Sequence, residues 1–260
     1  MSLNNVSNSA DTYQELYEFA VDLAWHAGRI TLRYFQTHLE VDGKDDGTPV
    51  TEADRQAEAY MRRAIEARFP DDALVGEEYG DQAGRSGRTW IIDPIDGTKS
   101  FVHGVPLYGL LIGVRVDEAP AVGVMHFPAL GETVAAWRGG GCYWNGRRVG
   151  VSAVDQLGQS LATSSDLFLP GEHPGFDRLM SRVRLRRTWG DCYGYALVAT
   201  GRAEVMVDPI VSPWDIAAVE PVILEAGGRF TDLDGGSDLW AGHGVATNGL
   251  VHDAVLECWR

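Results

Sequence analysis

The apolar pattern changes period twice along this chain, and that change limits the folds open to it. Residues 12–37 carry apolar side chains three and four apart: Tyr13, Leu16, Phe19, Ala20, Leu23, Ala24, Ala27 and Ile30. That spacing predicts an amphipathic helix. A second helix is expected after Thr51, with Met61, Ala64, Ile65 and Phe69 as its stripe and Pro70 as its stop. From about residue 73 to 163 the pattern is that of strands. Residues 107–116 and 121–127 read as a hairpin joined by Asp117-Glu118-Ala119-Pro120. Residues 132–137 form another strand, running into Gly139-Gly140-Gly141 and an Asn145-Gly146 turn. Helical spacing returns at Ser212-Pro213-Trp214-Asp215, continues through Ile216, Val219, Val222, Ile223 and Ala226, and stops at Gly227-Gly228. Residues 251–259 suggest a last helix. Helices on either side of a long strand block predict layered α and β structure. The switch near residue 150 divides the chain into 1–150 and 151–260, two parts of one compact unit. The first ten residues are polar and expected to fray, and 42–48 reads as a polar loop.

Bulk properties narrow the function. A chain of 260 residues, 45% hydrophobic, can bury a real core. A net charge of -15 argues against nucleic acid and anionic membranes as partners. It leaves room for a small phosphorylated substrate, because a bound metal inverts the local charge. The three cysteines, Cys142, Cys192 and Cys258, are far apart and form no CxxC, as expected in a reducing compartment. The polar start and the lack of a long apolar run point to the cytoplasm.

The chemistry concentrates in Asp93-Pro94-Ile95-Asp96-Gly97-Thr98, which follows the apolar Thr89-Trp90-Ile91-Ile92. Two carboxylates at a strand end suit a hard divalent cation, Mg2+ above all. Asp, Pro and Gly are also ordinary turn residues. Glu77-Glu78 lies at the end of another apolar run, and Trp214-Asp215 heads a helix. Glu77-Glu78 alone reads as a solvated loop, Asp215 alone as a charge complementing a helix dipole, and Asp54 alone as a helix surface residue. Together they offer four or more carboxylates to one place.

Gly76-Glu77-Glu78, Trp90 to Thr98, Pro213-Trp214-Asp215 and Glu225-Ala226-Gly227-Gly228, in that order, resemble the inositol-monophosphatase-type family of Mg2+-dependent phosphatases. Thr51 to Asp54 resembles the family's Thr-x-x-Asp segment. The resemblance implies an α/β (α+β) fold, a five-layer αβαβα sandwich with two or three Mg2+ ions in a cleft. It implies that Glu77, Asp93 and the Ile95 carbonyl hold one ion, that Asp93, Asp96 and Asp215 hold a second, and that Glu77 supports a weaker third. Asp54 and Thr98 would orient or deprotonate a metal-activated water, which attacks the phosphorus directly. The backbone N–H groups of Gly97 and Thr98 would meet phosphate oxygens. The family also implies a homodimer.

Gly97-Thr98-Lys99-Ser100-Phe101 and Gly190-Asp191-Cys192-Tyr193-Gly194-Tyr195 resemble the histidinol-phosphate phosphatase branch, which serves histidine biosynthesis. That substrate carries an ammonium and an imidazole, so acidic readers are expected, with Asp191 and Asp208 the candidates. Lys99 and Arg187 are candidates for binding the substrate, Arg187 through its phosphate, and Asp215 faces both metal and substrate. Asp191 could instead cap a helix, Asp208 could end a strand, Lys99 could be a surface lysine or contact a neighbouring carboxylate, and Arg187 could bind an interface acid or belong to a solvated basic face. The alternatives are an inositol-1-phosphate or broad sugar-phosphate phosphatase, a nucleotide bisphosphate phosphatase, and a catalytically silent interaction protein. The last would be marked by loss of one of Glu77, Asp93, Asp96 and Asp215, all of which are present.

Overall fold

The computed structural model describes residues 4–38, 41–43, 49–166 and 174–260. Positions 1–3 of the polar start, and 44–48 of the polar loop, lie outside the described residues. Residues 4–10 belong to the first helix, Asn4–Thr31, which therefore begins earlier than the apolar spacing predicts. It also ends earlier, in turns closed by Gln36 at φ 58°. The second helix, Glu52–Arg68, follows Thr51, whose side chain caps it.

An eight-stranded sheet runs in the spatial order Arg147–Val149, Gly141–Trp144, Glu132–Trp137, Ala119–Phe127, Gly109–Val116, Arg88–Asp96, Ala73–Gly76, Gly80–Gln82. The expected hairpin is present, with a tighter turn than the sequence suggests. Only Asp117 and Glu118 leave the ladder, at φ 49° and 61°, and Ala119 and Pro120 join the strand. Two residues with positive φ match the twist of paired strands. Asn145-Gly146 turns in the same way.

Side-chain alternation then builds the layers. Trp90, Ile92, Leu110, Ile112, Val122 and Val124 face one way and bury against Leu16, Leu23, Met61 and Ile65 of the first two helices. Ile91, Leu111, Met125 and Phe127 face the other way, onto helices Asp191–Ala199, Pro213–Ile216 and Val219–Glu225. Each fully buried Leu, Ile or Met contributes about 2 kcal/mol. Gly113 and Gly123 are register partners on this inner face. A Cβ on Gly113 would lie 2.6 Å from the Ala217 carbonyl carbon, so the glycines let the central helices sit close.

Beyond those helices lies a five-stranded sheet in the order Leu185–Arg187, Leu161–Thr163, Val205–Asp208, Gly244–Thr247, Arg229–Thr231. Its far face is covered by Phe176, Leu179 and Met180 of helix Pro174–Arg182 and by Val255 and Leu256 of helix His252–Leu256. The result is the αβαβα layering that the resemblance implies. One difference concerns residues 213–226, where a single helical stripe resolves into two short helices. Pro221 has no N–H for the Ala217 carbonyl, and the chain turns at Ala217-Ala218. Among the described residues no helix is long and apolar enough to cross a membrane, and all three cysteines are free and buried.

Candidate active site

In a regular strand Asp93 and Asp96, three apart, would point to opposite faces. Here they do not. Asp93 pairs with Leu111 and Asp96 with Gly109, so three steps on one strand oppose two on its neighbour. This bulge, across Pro94-Ile95, brings both carboxylates to the cleft between the sheets. Gly97 follows at φ 81°, where its Cβ would lie 2.9 Å from Asp191 Oδ2, and it opens the short helix Thr98–Val102. The Thr98 hydroxyl donates to the Ile95 carbonyl at 3.1 Å.

Asp215 arrives on helix Pro213–Ile216, which lies against strands Arg88–Asp96 and Gly109–Val116. Ligand oxygens of Asp93, Asp96 and Asp215 all fall within 4.8 Å of one another. Strand Ala73–Gly76 runs parallel to Arg88–Asp96 with Gly76 beside Ile92, so the next residue, Glu77, comes level with Asp93. Glu77's charge acts on both Asp93 and Asp215.

Asp93, Asp215, Asp96 and Asp54 each spend one oxygen on a main-chain N–H. Asp93 Oδ1 accepts from Ile95 N at 2.9 Å, and Asp215 Oδ2 from Ser212 N at 2.7 Å. Asp96 Oδ2 accepts from Cys192 N. Asp54 Oδ2 accepts from Thr51 N at 2.8 Å and from the Thr51 hydroxyl at 2.6 Å. These bonds fix the acids in place but do not neutralise them. Burial pushes Asp93 and Asp96 well above the ordinary carboxylate range, and neighbouring carboxylates push them further. Burial likewise raises Asp215 to about 7 and Asp54 to about 6, against the pull of their backbone bonds. Clustered acids held this way favour a proton or a cation. Hard oxygen donors at this spacing fit Mg2+.

The other candidates lie around this cluster or apart from it. Asp54 is 1% exposed, not on the surface of its helix, and stands beside Glu77 and Glu78. Asp191 heads helix Asp191–Ala199 at φ 49° and adds its charge to Asp96 and Asp215. Lys99 is exposed, and its charge draws the pKa of Asp191 down against the larger effect of burial. Asp208, at the end of strand Val205–Asp208, is buried and raised to about 7 by that burial. Arg187 stands apart, exposed on an edge strand with its guanidinium 5.7 Å from the centre of the Trp189 ring. Sequence reasoning missed Ser165, which accepts from Asp191 N at 2.8 Å and donates its own N–H to Asp208 Oδ1 at 2.9 Å. A lone serine in a polar stretch gives no periodic signal.

The profile of the inositol monophosphatase family matches residues 12–258. A histidinol-phosphatase from Chlorobaculum parvum is 50% identical over 235 residues, 88% of this chain and 90% of that protein. Another, from Mycobacterium tuberculosis, is 42% identical over 91% of this chain and 95% of its own length. The solved extragenic suppressor protein suhB of Bartonella henselae superposes with a TM-score of 0.89 at 29% identity, covering 95% of this chain and 98% of that one. With the fold, the ordered motifs and these relatives in agreement, the chain belongs to the inositol monophosphatase family, whose members are phosphatases.

Proposed function

We propose that this protein is a Mg2+-dependent phosphatase that hydrolyses L-histidinol phosphate to L-histidinol and phosphate. The observation that carries the reading is the trio Asp93, Asp96 and Asp215, one buried and two half-buried, with ligand oxygens within 4.8 Å of one another, in a chain 50% identical to a protein named for that activity. Glu77, Asp93 and the Ile95 carbonyl would hold one ion, and Asp93, Asp96 and Asp215 a second, with Glu77 supporting a third. Bound there, Mg2+ supplies charge screening for the phosphate and acidity for water.

The chain's own residues do the rest. Thr51 holds Asp54 Oδ2, so Oδ1 takes the proton of the attacking water. A pKa of about 6 leaves Asp54 ionised, and still basic, at neutral pH. Thr98, anchored on Ile95, orients that water. The N–H groups of Gly97 and Thr98 serve the phosphate, and Lys99 stands by Asp191 at the substrate. Asp191 and Asp208, linked through Ser165, read the ammonium of the leaving alcohol. Residues 1–150 carry most of the ligands and 151–260 complete the site, in a cytoplasmic homodimer.

Phosphate release from histidinol phosphate and inositol 1-phosphate, with and without Mg2+, tests the reading. We expect strict metal dependence and a kcat/KM preference for the histidinol ester. A preference for the inositol ester would refute the substrate, and activity without metal would refute the mechanism. Asp191→Asn is expected to cost the histidinol ester more than the inositol ester.

A further inference from the structure

The turn that carries Glu77 is held from below by a residue outside the carboxylate cluster. Glu58 lies in the middle of helix Glu52–Arg68 and is completely buried. Its Oε2 accepts from the Glu78 N–H at 2.8 Å, and its Oε1 from the Tyr79 N–H at 3.1 Å. Arg62, one turn on, donates Nε–H to Oε1 at 2.8 Å and also bonds the Gly80 carbonyl. A Cβ on Gly76 would collide with the same Glu58 oxygen, so glycine is needed where the strand passes over the carboxylate. Glu58 and Arg62 thus grip the main chain at Glu78, Tyr79 and Gly80, just after Glu77, and pack closely against Gly76 just before it.

A fully buried carboxylate is costly unless it is paired and hydrogen-bonded. Here two main-chain N–H donors and the Arg62 guanidinium meet it, which offsets that cost. The pairing has an electrostatic use as well. Glu77, Glu78 and Asp54 already crowd negative charge at this end of the helix. Arg62 cancels Glu58, so the clamp adds geometry to the site without further net charge.

We infer that Glu58 is a positioning residue for metal binding: it fixes the turn so that the Glu77 carboxylate stands beside Asp93. This rests on the Mg2+-phosphatase reading above. Groups that orient metal ligands typically matter about 10–100-fold in metal affinity. In Glu58→Gln the amide keeps one acceptor oxygen but turns an NH2 toward an N–H donor, which loosens the turn.

The test is calorimetric titration of Mg2+ into metal-free protein, alongside its melting temperature and kcat at saturating Mg2+. We expect Glu58→Gln to weaken Mg2+ binding about tenfold or more. Excess Mg2+ should restore kcat to within about threefold of wild type, since the ligands themselves remain. Arg62→Gln should weaken binding in the same direction, by less. Wild-type Mg2+ affinity in either folded variant would overturn the assignment. So would failure of both variants to fold, which would make the contact purely structural. A wild-type protein that binds no Mg2+ would instead overturn the proposed function itself.

Discussion

Asp215→Asn should make the metal-free protein more stable and the enzyme inactive, two effects of opposite sign from one atom. Burial raises Asp215 from the ordinary 3.8 to about 7, with Glu77, Asp208 and Asp191 adding repulsion. An acid whose folded pKa is raised holds its proton better when folded, so stability falls as pH rises from about 4 to about 7. Above that range the full cost is present. A rise of about three pH units, at about 1.4 kcal/mol each, sets an upper bound near 4 kcal/mol at pH 8. Asp215 is only partly covered and shares protons with neighbouring carboxylates, which brings the expected value to about 2 kcal/mol. Asn keeps the shape, and its carbonyl oxygen can still accept from Ser212 N–H.

In EDTA at pH 8 the variant should therefore melt about 4–8 °C above wild type, at about 2–4 °C per kcal/mol for a chain of this size. Mg2+ at 100 times its dissociation constant should raise wild-type stability by about 2.7 kcal/mol. The variant, short of a ligand, should gain much less, so the order of melting temperatures narrows or inverts. kcat/KM should fall at least about 100-fold, the scale of a lost catalytic ligand or donor. Differential scanning fluorimetry across an Mg2+ series reads all but the last. A variant less stable than wild type in EDTA, with an unchanged Mg2+ response, would refute the reasoning.

Two further outcomes follow from the same geometry. Asp208, 5% exposed and raised to about 7 by burial, should make metal-free stability fall by about 1.4 kcal/mol between pH 6 and pH 8; urea unfolding at both pH values should show the difference, Asp208→Asn should remove that share of it, and an identical slope in the variant would exclude Asp208 as its source. Gly97→Ala places a side chain at φ 81° and 2.9 Å from Asp191 Oδ2, so it should cost about 1–2 kcal/mol and lower kcat; wild-type stability and turnover together would show that the turn has another conformation available.

Much of this was legible because the site residues sit in runs whose local chemistry is distinctive. Asp93 to Thr98 carries its own strand end, proline and left-handed glycine. What the run does not show is that Asp93 and Asp96 share a face, because that depends on a bulge defined only by the partner strand. The helix break at Ala217-Ala218 was illegible for a related reason: the apolar stripe runs across it without interruption, and the missing donor sits four residues on, at Pro221. Glu58 and Arg62 look like a solvated i,i+4 pair. Their burial follows from the turn folding over them, although Glu58 does lie on the stripe of Met61 and Ile65. Strands Arg229–Thr231 and Gly244–Thr247 went unread, being too short to show a period, and helix Pro174–Arg182 went unread although Phe176, Leu179, Met180 and Val183 stand at helical spacing.

The four acids at the centre show how such a cluster is kept in a folded chain. Each is fixed by a backbone N–H that belongs to an ordinary structural device: an Asx turn for Asp93, the head of a helix for Asp96, and capping boxes for Asp54 and Asp215. These devices would form with or without a cation, because they satisfy N–H groups that a turn or helix start leaves unpaired. The chain thus fixes the carboxylates through local bonds of modest worth, while the repulsion among them is a long-range cost that only a proton or a cation relieves. A proton relieves one acid at a time, whereas a divalent ion relieves several together. The same geometry that raises the acids therefore favours the cation over the proton as pH rises, and metal affinity should climb through the range in which Asp215 titrates.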